Sequence, residues 1–159
     1  MANLEREIAE LLLRKGLTLG VVESATGGLI SHLVTNIPGS SDYYKGSVTA
    51  YSNEIKVKVI GVSADTIERY GSVSPQVAEE LALGGKKLLA VDICLADTGI
   101  AGPGGATPGK SVGLFYVGMA HRDGVSSRKH EFSGSREQNK ISAAYAALSW
   151  LKEYLLSLQ

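Results

Sequence analysis

The sequence lacks disulfide partners, an excess of either charge and any long apolar segment. Its one cysteine, Cys94, cannot form an internal disulfide, and a reducing compartment is compatible with that. Sixteen basic and sixteen acidic residues give a formal net charge of zero, which argues against a nucleic-acid-binding protein. A membrane span requires about 18 or more consecutive apolar residues, and no such run occurs. We therefore expect a soluble, cytoplasmic protein that binds neither membranes nor nucleic acid.

Histidine and cysteine are also too sparse to indicate a metal site. The three histidines show no metal-ligand spacing, either with one another or with Cys94. We therefore assign no metal and no cofactor. A chain of 159 residues buries roughly 68 to 70% of the surface of its unfolded form, so it needs neither a metal nor a disulfide to fold. We treat residues 1–159 as one domain.

The order of apolar patterns predicts a layered α/β fold. Alternating or continuous apolar runs predict strands, and apolar residues at helical spacing predict helices. The predicted strands cover residues 17–23, 44–51, 91–98, 111–120 and 126–132, and the main predicted helices cover residues 3–15, 26–35, 63–70, 75–89 and 136–157. Gly84 and Gly85 lie inside one of these helices and indicate close packing against a neighbour. We predict a single three-layer α/β/α domain with a mixed sheet.

Residues 23–28, with the sequence Glu-Ser-Ala-Thr-Gly-Gly, lie where the first strand should end and the next helix begin. The first backbone N–H groups of a helix lack intrahelical partners, so an anion or a developing oxyanion is stabilised there. A hydroxyl at this point could be a nucleophile. The commoner role of serine or threonine at such a junction is to cap the helix, with the glycines forming the turn. Both interpretations of Ser24 and Thr26 remain open from the segment alone.

Lys56 occupies an unusual position for a lysine. It falls in the first turn of a helix that we expect to begin near Asn53, where the helix dipole disfavours a cation. Most lysines are exposed, so a solvated side chain beside Lys58 is the ordinary explanation. The alternative is a functional role.

The segment from Gly104 to Ser111 matches the nucleotide-binding pattern G-x-x-x-x-G-K-S/T completely. That pattern binds phosphate only if a helix begins at its lysine and serine, because the helical N–H groups surround the phosphates. The next residues, Val112 to Gly118, are rich in aromatic and β-branched types and predict a strand instead. We therefore interpret the match as accidental.

Five sequence blocks carry a resemblance to a known family. They are Glu23-Ser24-Ala25-Thr26-Gly27-Gly28, Pro38-Gly39-Ser40-Ser41, Tyr51-Ser52-Asn53 with Lys56, Tyr70-Gly71-Ser72-Val73-Ser74, and Thr98-Gly99-Ile100-Ala101-Gly102-Pro103. In this order they resemble the C-terminal domain of the CinA (competence-damage) family, from about residue 4 to the end of the chain. The resemblance is to the stand-alone form, without the N-terminal molybdopterin-binding-like domain of full-length CinA proteins. Its characterised members are nicotinamide-nucleotide amidases, which implies hydrolysis of the carboxamide of nicotinamide mononucleotide to nicotinic acid mononucleotide and ammonia.

The resemblance also implies roles for individual residues. It makes Ser24 the nucleophile, Lys56 its general base and Tyr51 their support. A serine hydroxyl needs such a base, and a lysine can act as one if burial lowers its pKa. The implied partner is a small pyridine mononucleotide, and we expect a homo-oligomer.

Several further residues are candidates for binding the substrate. The oxyanion hole and the seat of the phosphate are expected among the helix start at Thr26, Gly27 and Gly28 and the segment containing Thr98, Gly99 and Gly102, without an assignment of one to the other. Arg136 is a second candidate for the 5′-phosphate, because arginine forms bidentate contacts with phosphate. A solvated residue at a helix start is an equally good interpretation of Arg136.

The chain departs from the family pattern at two positions. Many relatives carry cysteine directly after the nucleophile, where this chain has Ala25, but alanine removes no group that the proposed mechanism uses. Relatives also tend to have Lys-Pro in place of Lys110-Ser111, and this one change completes the nucleotide-binding pattern. Two alternatives to the amidase remain at this level. One is a nucleotide-binding module or NTPase that uses the Gly104–Ser111 loop, and the other is a non-catalytic member that only binds pyridine nucleotides.

The strand expected after Lys110 leads to a prediction about ATP. Because no helix N-terminus is available to bind the phosphates, ATP should not bind with micromolar affinity, with or without Mg²⁺. Isothermal titration calorimetry measures this directly. Micromolar binding that disappears in Lys110→Ala would contradict our interpretation and favour the NTPase.

Overall fold

The computed structural model describes residues 2–158, which form a five-stranded mixed sheet with helices on both faces. The strands are Leu19–Glu23 (β1), Tyr44–Thr49 (β2), Ile93–Gly99 (β3), Leu114–His121 (β4) and Gly124–Glu131 (β5). The helices are Ala2–Lys15 (α1), Leu29–Thr35 (α2), Asn53–Ile55 (α3), Ala64–Tyr70 (α4), Pro75–Leu89 (α5) and Arg136–Ser157 (α6). A π-helical turn, Lys56–Ile60, continues α3, and a short 3₁₀ turn covers Ser40–Asp42. The predicted α/β fold class is confirmed.

The sheet has the order β2-β1-β3-β4-β5 and combines two kinds of pairing. β1 is parallel to both β2 and β3, whereas β4 is antiparallel to β3 and β5. The carboxyl ends of the three parallel strands therefore meet at one edge of the sheet. This is the edge at which open α/β sheets place their ligands.

Alternation along the strands divides the interior into two cores. On β3, Ile93 and Leu95 face a core shared with α1, α2 and α6, whereas Cys94 and Ala96 face a second core shared with α5. Because successive strand residues point to opposite faces, a strand buried on both sides is apolar throughout. The two cores make the three layers of the α/β/α arrangement.

The main difference from the predicted elements concerns the start of α2. The helix was expected from residue 26 and begins at Leu29, because Gly27 and Gly28 have left-handed φ values of 61° and 103°. A left-handed residue cannot continue a right-handed helix, so residues 24–28 form a turn instead. The structure therefore inserts a loop between the end of β1 and the first helical residue.

Two findings concern the protein classes that the composition disfavours. None of the helices within residues 2–158 is long and apolar enough to cross a membrane. Over the same residues, no three His, Cys, Asp or Glu side chains are grouped so that they could hold a metal ion.

Cys94 is fully buried, and burial raises the pKa of its thiol to about 12. The thiol is therefore neutral and shielded, as expected of a packing residue.

Close packing around Gly84 connects α5 to the π-helical turn. A β-carbon on Gly84 would lie 2.3 Å from the carbonyl oxygen of Ile60, which ends that turn. The close contact predicted for this glycine is confirmed, and it explains why a helix retains a residue that costs about 1 kcal/mol relative to alanine. The π-helical turn, which carries Lys56, thus rests directly on α5.

Replacing this glycine should therefore destabilise the protein. In Gly84→Ala the gain in helix propensity is about 1 kcal/mol, and overpacking against backbone costs typically about 1 to 3 kcal/mol. Because a backbone carbonyl cannot move aside as a side chain can, we expect the clash to dominate and the free energy of unfolding to fall. Urea denaturation measures the change.

Gly104→Ala is the matched control, since a β-carbon there meets nothing within 4 Å and the residue is not left-handed. A Gly84→Ala variant as stable as the control would contradict the packing argument.

Candidate active site

A cleft of about 290 Å³ lies at the carboxyl ends of the parallel strands. The predicted site residues that line it are Ser24, Tyr51, Lys56, Thr98, Gly99, Gly102 and Arg136. They come from the ends of β1, β2 and β3, from the turn after β2, and from the start of α6. Residues separated by more than a hundred positions in the sequence thus meet because the three strands end at the same edge.

Ser24 follows β1 directly and is nearly buried, with 6% of its surface exposed. Its carbonyl oxygen accepts a hydrogen bond from the N–H of Gly27 at 3.1 Å, which closes the turn. Neither Ser24 nor Thr26 caps α2, so the capping interpretation is wrong for both. Ser24 is therefore held at the cleft by the turn, and its hydroxyl is not consumed by a helix end.

Glu23 accepts the hydrogen bonds of the free N–H groups at the start of α2. The sequence analysis did not identify this role. The carboxylate of Glu23 accepts the N–H groups of Ile30 at 2.9 Å and Ser31 at 3.0 Å, and the hydroxyl of Ser31 at 2.6 Å. Glu23 is completely buried. The anion that this helix start was expected to bind is thus supplied by the chain itself.

Asp97 is a second buried carboxyl group that the sequence analysis did not identify. It accepts the N–H of Ser24 at 3.0 Å and the N–H of Thr26 at 3.1 Å. Burial raises its pKa to about 6, against the opposing effect of its hydrogen bonds from Thr26 and Ser24. The available signal was an aspartate inside the apolar strand β3, because a buried charge requires partners.

Lys56 is buried with only 2% of its surface exposed. Burial lowers the pKa of its ammonium group, and the nearby Asp97 partly offsets that change. The helix start expected near Asn53 is confirmed, with Ser52 as the N-cap, and the solvated interpretation of Lys56 is wrong. The environment of Lys56 therefore favours the neutral form of its amine more than water does.

A general base should lie within hydrogen-bonding reach of its nucleophile, but no direct hydrogen bond joins Lys56 to Ser24 in the described part of the chain. The Lys56 ammonium nitrogen, Nζ, instead donates to the carbonyl oxygen of Tyr51 at 2.9 Å. This bond fixes the end of the lysine side chain in the cleft that Ser24 also lines. Catalytic hydrogen bonds are often long in a free enzyme and shorten only when substrate binds.

Arg136 connects three walls of the cleft. Its Nη1 donates to the carbonyl oxygen of Gly102 at 2.8 Å, and its Nη2 donates to the hydroxyl of Tyr51 at 3.2 Å. The side chain of Tyr51 is itself largely exposed. Arg136 is exposed at the first residue of α6, as the solvated interpretation expects, and its guanidinium also lines the cleft.

Thr98 and Gly99 form the floor of the cleft at the end of β3. The hydroxyl of Thr98 donates to the carbonyl oxygen of Ser72 at 2.7 Å and so ties the strand to the segment before α5. A β-carbon on Gly99 would lie 2.2 Å from the ring of Phe115, so glycine is required there. These contacts give both residues a structural role in addition to lining the cleft.

Thr26, Gly27 and Gly28 lie outside this cleft. They line a separate depression together with His32, Glu137 and Lys140. Thr26 is buried, and its hydroxyl lies 2.6 Å from Glu23 Oε1 and 2.5 Å from Asp97 Oδ1. The structure thus does not bring these three candidates to the substrate side, because the helix start they were expected to form lies three residues later and is occupied by Glu23.

The Gly104–Ser111 loop lacks the helix that a phosphate-binding loop requires. Thr107 and Lys110 pair through two backbone hydrogen bonds of 2.9 Å, and β4 follows from Leu114. The Lys110 ammonium group donates to the carbonyl oxygen of Tyr70. The lysine of the pattern therefore fastens the loop to the end of α4.

Comparison with known proteins gives consistent results for sequence and structure. The family profile described as the CinA C-terminal domain matches residues 1–155. A CinA-like protein of Dictyoglomus thermophilum is 44% identical over 156 residues, which cover 98% of this chain and 38% of that protein. A CinA-like protein of Thermotoga neapolitana is 43% identical over 153 residues, covering 96% of this chain and 37% of that protein. The chain thus spans less than two fifths of the length of these curated relatives.

Solved structures share both the fold and nearly the whole length of the chain. The competence damage-inducible protein A (ComA) of Klebsiella pneumoniae superposes with a TM-score of 0.96 and 29% identity, covering 99% of this chain and 98% of that one. The competence/damage inducible protein CihA of Agrobacterium tumefaciens gives a TM-score of 0.93 and 33% identity, covering 98% of this chain and 95% of that one. The architecture described above is therefore shared along almost its full length.

Proposed function

The chain belongs to the CinA C-terminal domain family, and we propose that it is an amidohydrolase that converts nicotinamide mononucleotide to nicotinic acid mononucleotide and ammonia. The resemblance of its site residues to those of the nicotinamide-nucleotide amidases supports the choice of substrate. One observation of the structure carries the proposal: a buried lysine shares a cleft with a serine at the carboxyl edge of a parallel sheet. A buried lysine of lowered pKa is the kind of base that a serine nucleophile needs.

In the proposed reaction the neutral amine of Lys56 takes the proton of the Ser24 hydroxyl as the hydroxyl oxygen attacks the carboxamide carbon. The resulting ammonium group then donates that proton to the departing amine, so that ammonia leaves and the nicotinoyl group remains esterified to Ser24. Water attacks this ester with Lys56 again accepting the proton. Nicotinic acid mononucleotide is released, and both side chains return to their starting states.

The cleft suits a compact anionic ligand. Its volume of about 290 Å³ lies just below the range of about 300 to 1,000 Å³ found for small-molecule sites. We assign the 5′-phosphate to Arg136, because the arginine lies at the open side and two of its nitrogens already bind oxygen atoms there. On this assignment Tyr51, whose hydroxyl accepts a hydrogen bond from Arg136, lies beside the same phosphate. The carboxamide end of the substrate is then directed inwards, towards Ser24.

The nucleophile can be tested by removing its hydroxyl group. Ser24→Ala should abolish the release of ammonia from nicotinamide mononucleotide while the protein stays folded, because no other hydroxyl is assigned to the attack. Ammonia is measured after incubation with the mononucleotide, and folding by circular dichroism. Ser47→Ala, an exposed serine on the neighbouring strand β2, is the control and should keep its activity. Turnover near normal in Ser24→Ala would refute the assignment, as would binding of the substrate without turnover by the unaltered protein.

The base can be tested through the pH dependence of the rate. A buried lysine with a pKa below its usual 10.5 becomes neutral at lower pH, so the rate should rise with pH through that lowered pKa. Lys56→Met should reduce the rate by at least about 10²-fold, the lower end of the contribution of a positioned base. Lys56→Arg should be equally inactive, because a guanidinium stays protonated. Both variants should lack the rising limb between pH 6 and 10.

Lys58→Met is the matched control for these variants, since its side chain is 72% exposed two residues away. It should keep both the rate and the pH profile of the unaltered protein. An active Lys56→Arg variant would show that the reaction proceeds without Lys56 as its base.

A further inference from the structure

Asp97 is a completely buried carboxyl group beneath the nucleophile turn, and it does not line the cleft. Neither its burial nor its place on β3 is explained by the proposed dyad. Its hydrogen bonds come from Ser24 and Thr26, which belong to the turn that follows β1. Any effect of Asp97 on the reaction must therefore pass through the turn.

The hydrogen bonds of the turn show a regular pattern. The N–H groups of Ser24 and Thr26 both donate to Asp97, one to each carboxyl oxygen. The N–H of Gly27 donates to the carbonyl oxygen of Ser24. Within residues 2–158, two N–H groups of this turn have no hydrogen-bond acceptor, those of Ala25 and Gly28, and Gly28 lies outside the cleft. Asp97 thus binds the N–H group on either side of Ala25 and leaves the middle one free.

The free N–H belongs to a residue that lines the cleft beside the nucleophile. Ala25 and Ser24 are adjacent in the chain, and both form part of the cleft wall. When serine attacks a carboxamide, negative charge develops on the carbonyl oxygen, which then lies close to the nucleophile. A backbone N–H held beside the nucleophile can stabilise this charge without rearranging in the reaction.

We propose that the Ala25 N–H is a donor of the oxyanion hole and that Asp97 is the positioning residue that directs it into the cleft. This inference rests on the proposed function and deepens it, since it supplies the electrostatic stabilisation that the Ser24–Lys56 dyad lacks. Binding of both flanking N–H groups by one rigid carboxyl group fixes the orientation of the peptide between them. The N–H groups at the start of α2, which donate to Glu23, are not needed for this purpose.

Asp97→Asn tests the positioning role. An asparagine side chain has one acceptor oxygen, so its NH₂ group faces one of the two N–H donors and the turn must shift. In the proposal the Ala25 N–H binds only the developing oxyanion and not the ground-state substrate. Its displacement should therefore lower kcat for ammonia release by about 10² to 10³-fold and change KM by less than about threefold. A merely structural defect would raise KM or reduce the folded fraction, and would not change kcat alone.

Asp92→Asn is the matched control, because Asp92 lies just before the opposite end of the same strand and accepts two hydrogen bonds, both from Thr18. It should keep kcat and KM. A folded Asp97→Asn protein with normal kcat, or with a raised KM and normal kcat, overturns the inference.

A second variant removes the proposed donor itself and decides the outcome if Asp97→Asn does not fold. Ala25→lactic acid, introduced by nonsense suppression, replaces the backbone N–H by an ester oxygen and leaves every side chain unchanged. We expect the same loss in kcat, about 10² to 10³-fold, with KM little affected. Normal kcat in this variant overturns the inference while leaving the dyad in place.

The two proposals fail in different ways. If the unaltered protein releases no ammonia from nicotinamide mononucleotide, the proposed function and this inference are both overturned. If the unaltered protein and Ser24→Ala behave as predicted but the Ala25 variant has normal kcat, only the oxyanion assignment is wrong.

Discussion

The site depends on the pairing of buried carboxyl groups with the backbone N–H groups around Ser24, the proposed nucleophile. Glu23 accepts hydrogen bonds from two N–H groups at the start of α2, and Asp97 accepts them from two N–H groups of the preceding turn. A buried N–H without an acceptor costs about 1 to 3 kcal/mol, so a bare turn of this shape would be unfavourable inside a protein. The carboxyl groups allow a strand to change into a helix through a short loop whose serine faces the cleft. Everything proposed for Ser24 and Ala25 presupposes this loop.

The burial of Lys56 is the second constraint on the site. Taking an ammonium group out of water favours its neutral form, which is the form that accepts a proton. The side chain keeps one hydrogen bond, to the carbonyl oxygen of Tyr51, and its backbone begins a π-helical turn. Such turns are uncommon and occur frequently at functional sites. Ile60, the last residue of this turn, belongs to the core shared with α5.

The sequence predicted the fold well because each layer has a local signal. Strand alternation and helical spacing are properties of neighbouring residues, so the five strands and the long helices could be located, with errors of a few residues at their ends. Lys56 could be noticed as an oddity, but local rules favoured a solvated side chain, and only the family resemblance reversed that choice. The start of α2 was misplaced because Thr26 looks like a helix cap when its other partners are unknown.

The buried carboxyl groups show what local reasoning cannot supply. Asp97 lies 73 residues from Ser24, and nothing in either segment specifies that they will meet. The apolar strand around Asp97 was sufficient to mark it as a residue in need of partners, but not to identify them. The Gly104–Ser111 loop is the opposite case. Its sequence matches the nucleotide-binding pattern completely, but Lys110 binds the end of α4. In both cases the role of the residue depends on the contacts that it makes in the folded chain.

The two members of the proposed dyad are held by opposite faces of the sheet. Ser24 is fixed through Glu23 and α2 on one side, whereas the turn carrying Lys56 rests on Gly84 of α5 on the other. Since no direct bond joins the two side chains within the described residues, the gap between them is set by how the two helical layers seat on the strands. The distance between the side chains of Ser24 and Lys56 therefore depends on the packing of both helical layers against the sheet. A substitution deep in either core can tune or misalign the dyad without approaching the cleft.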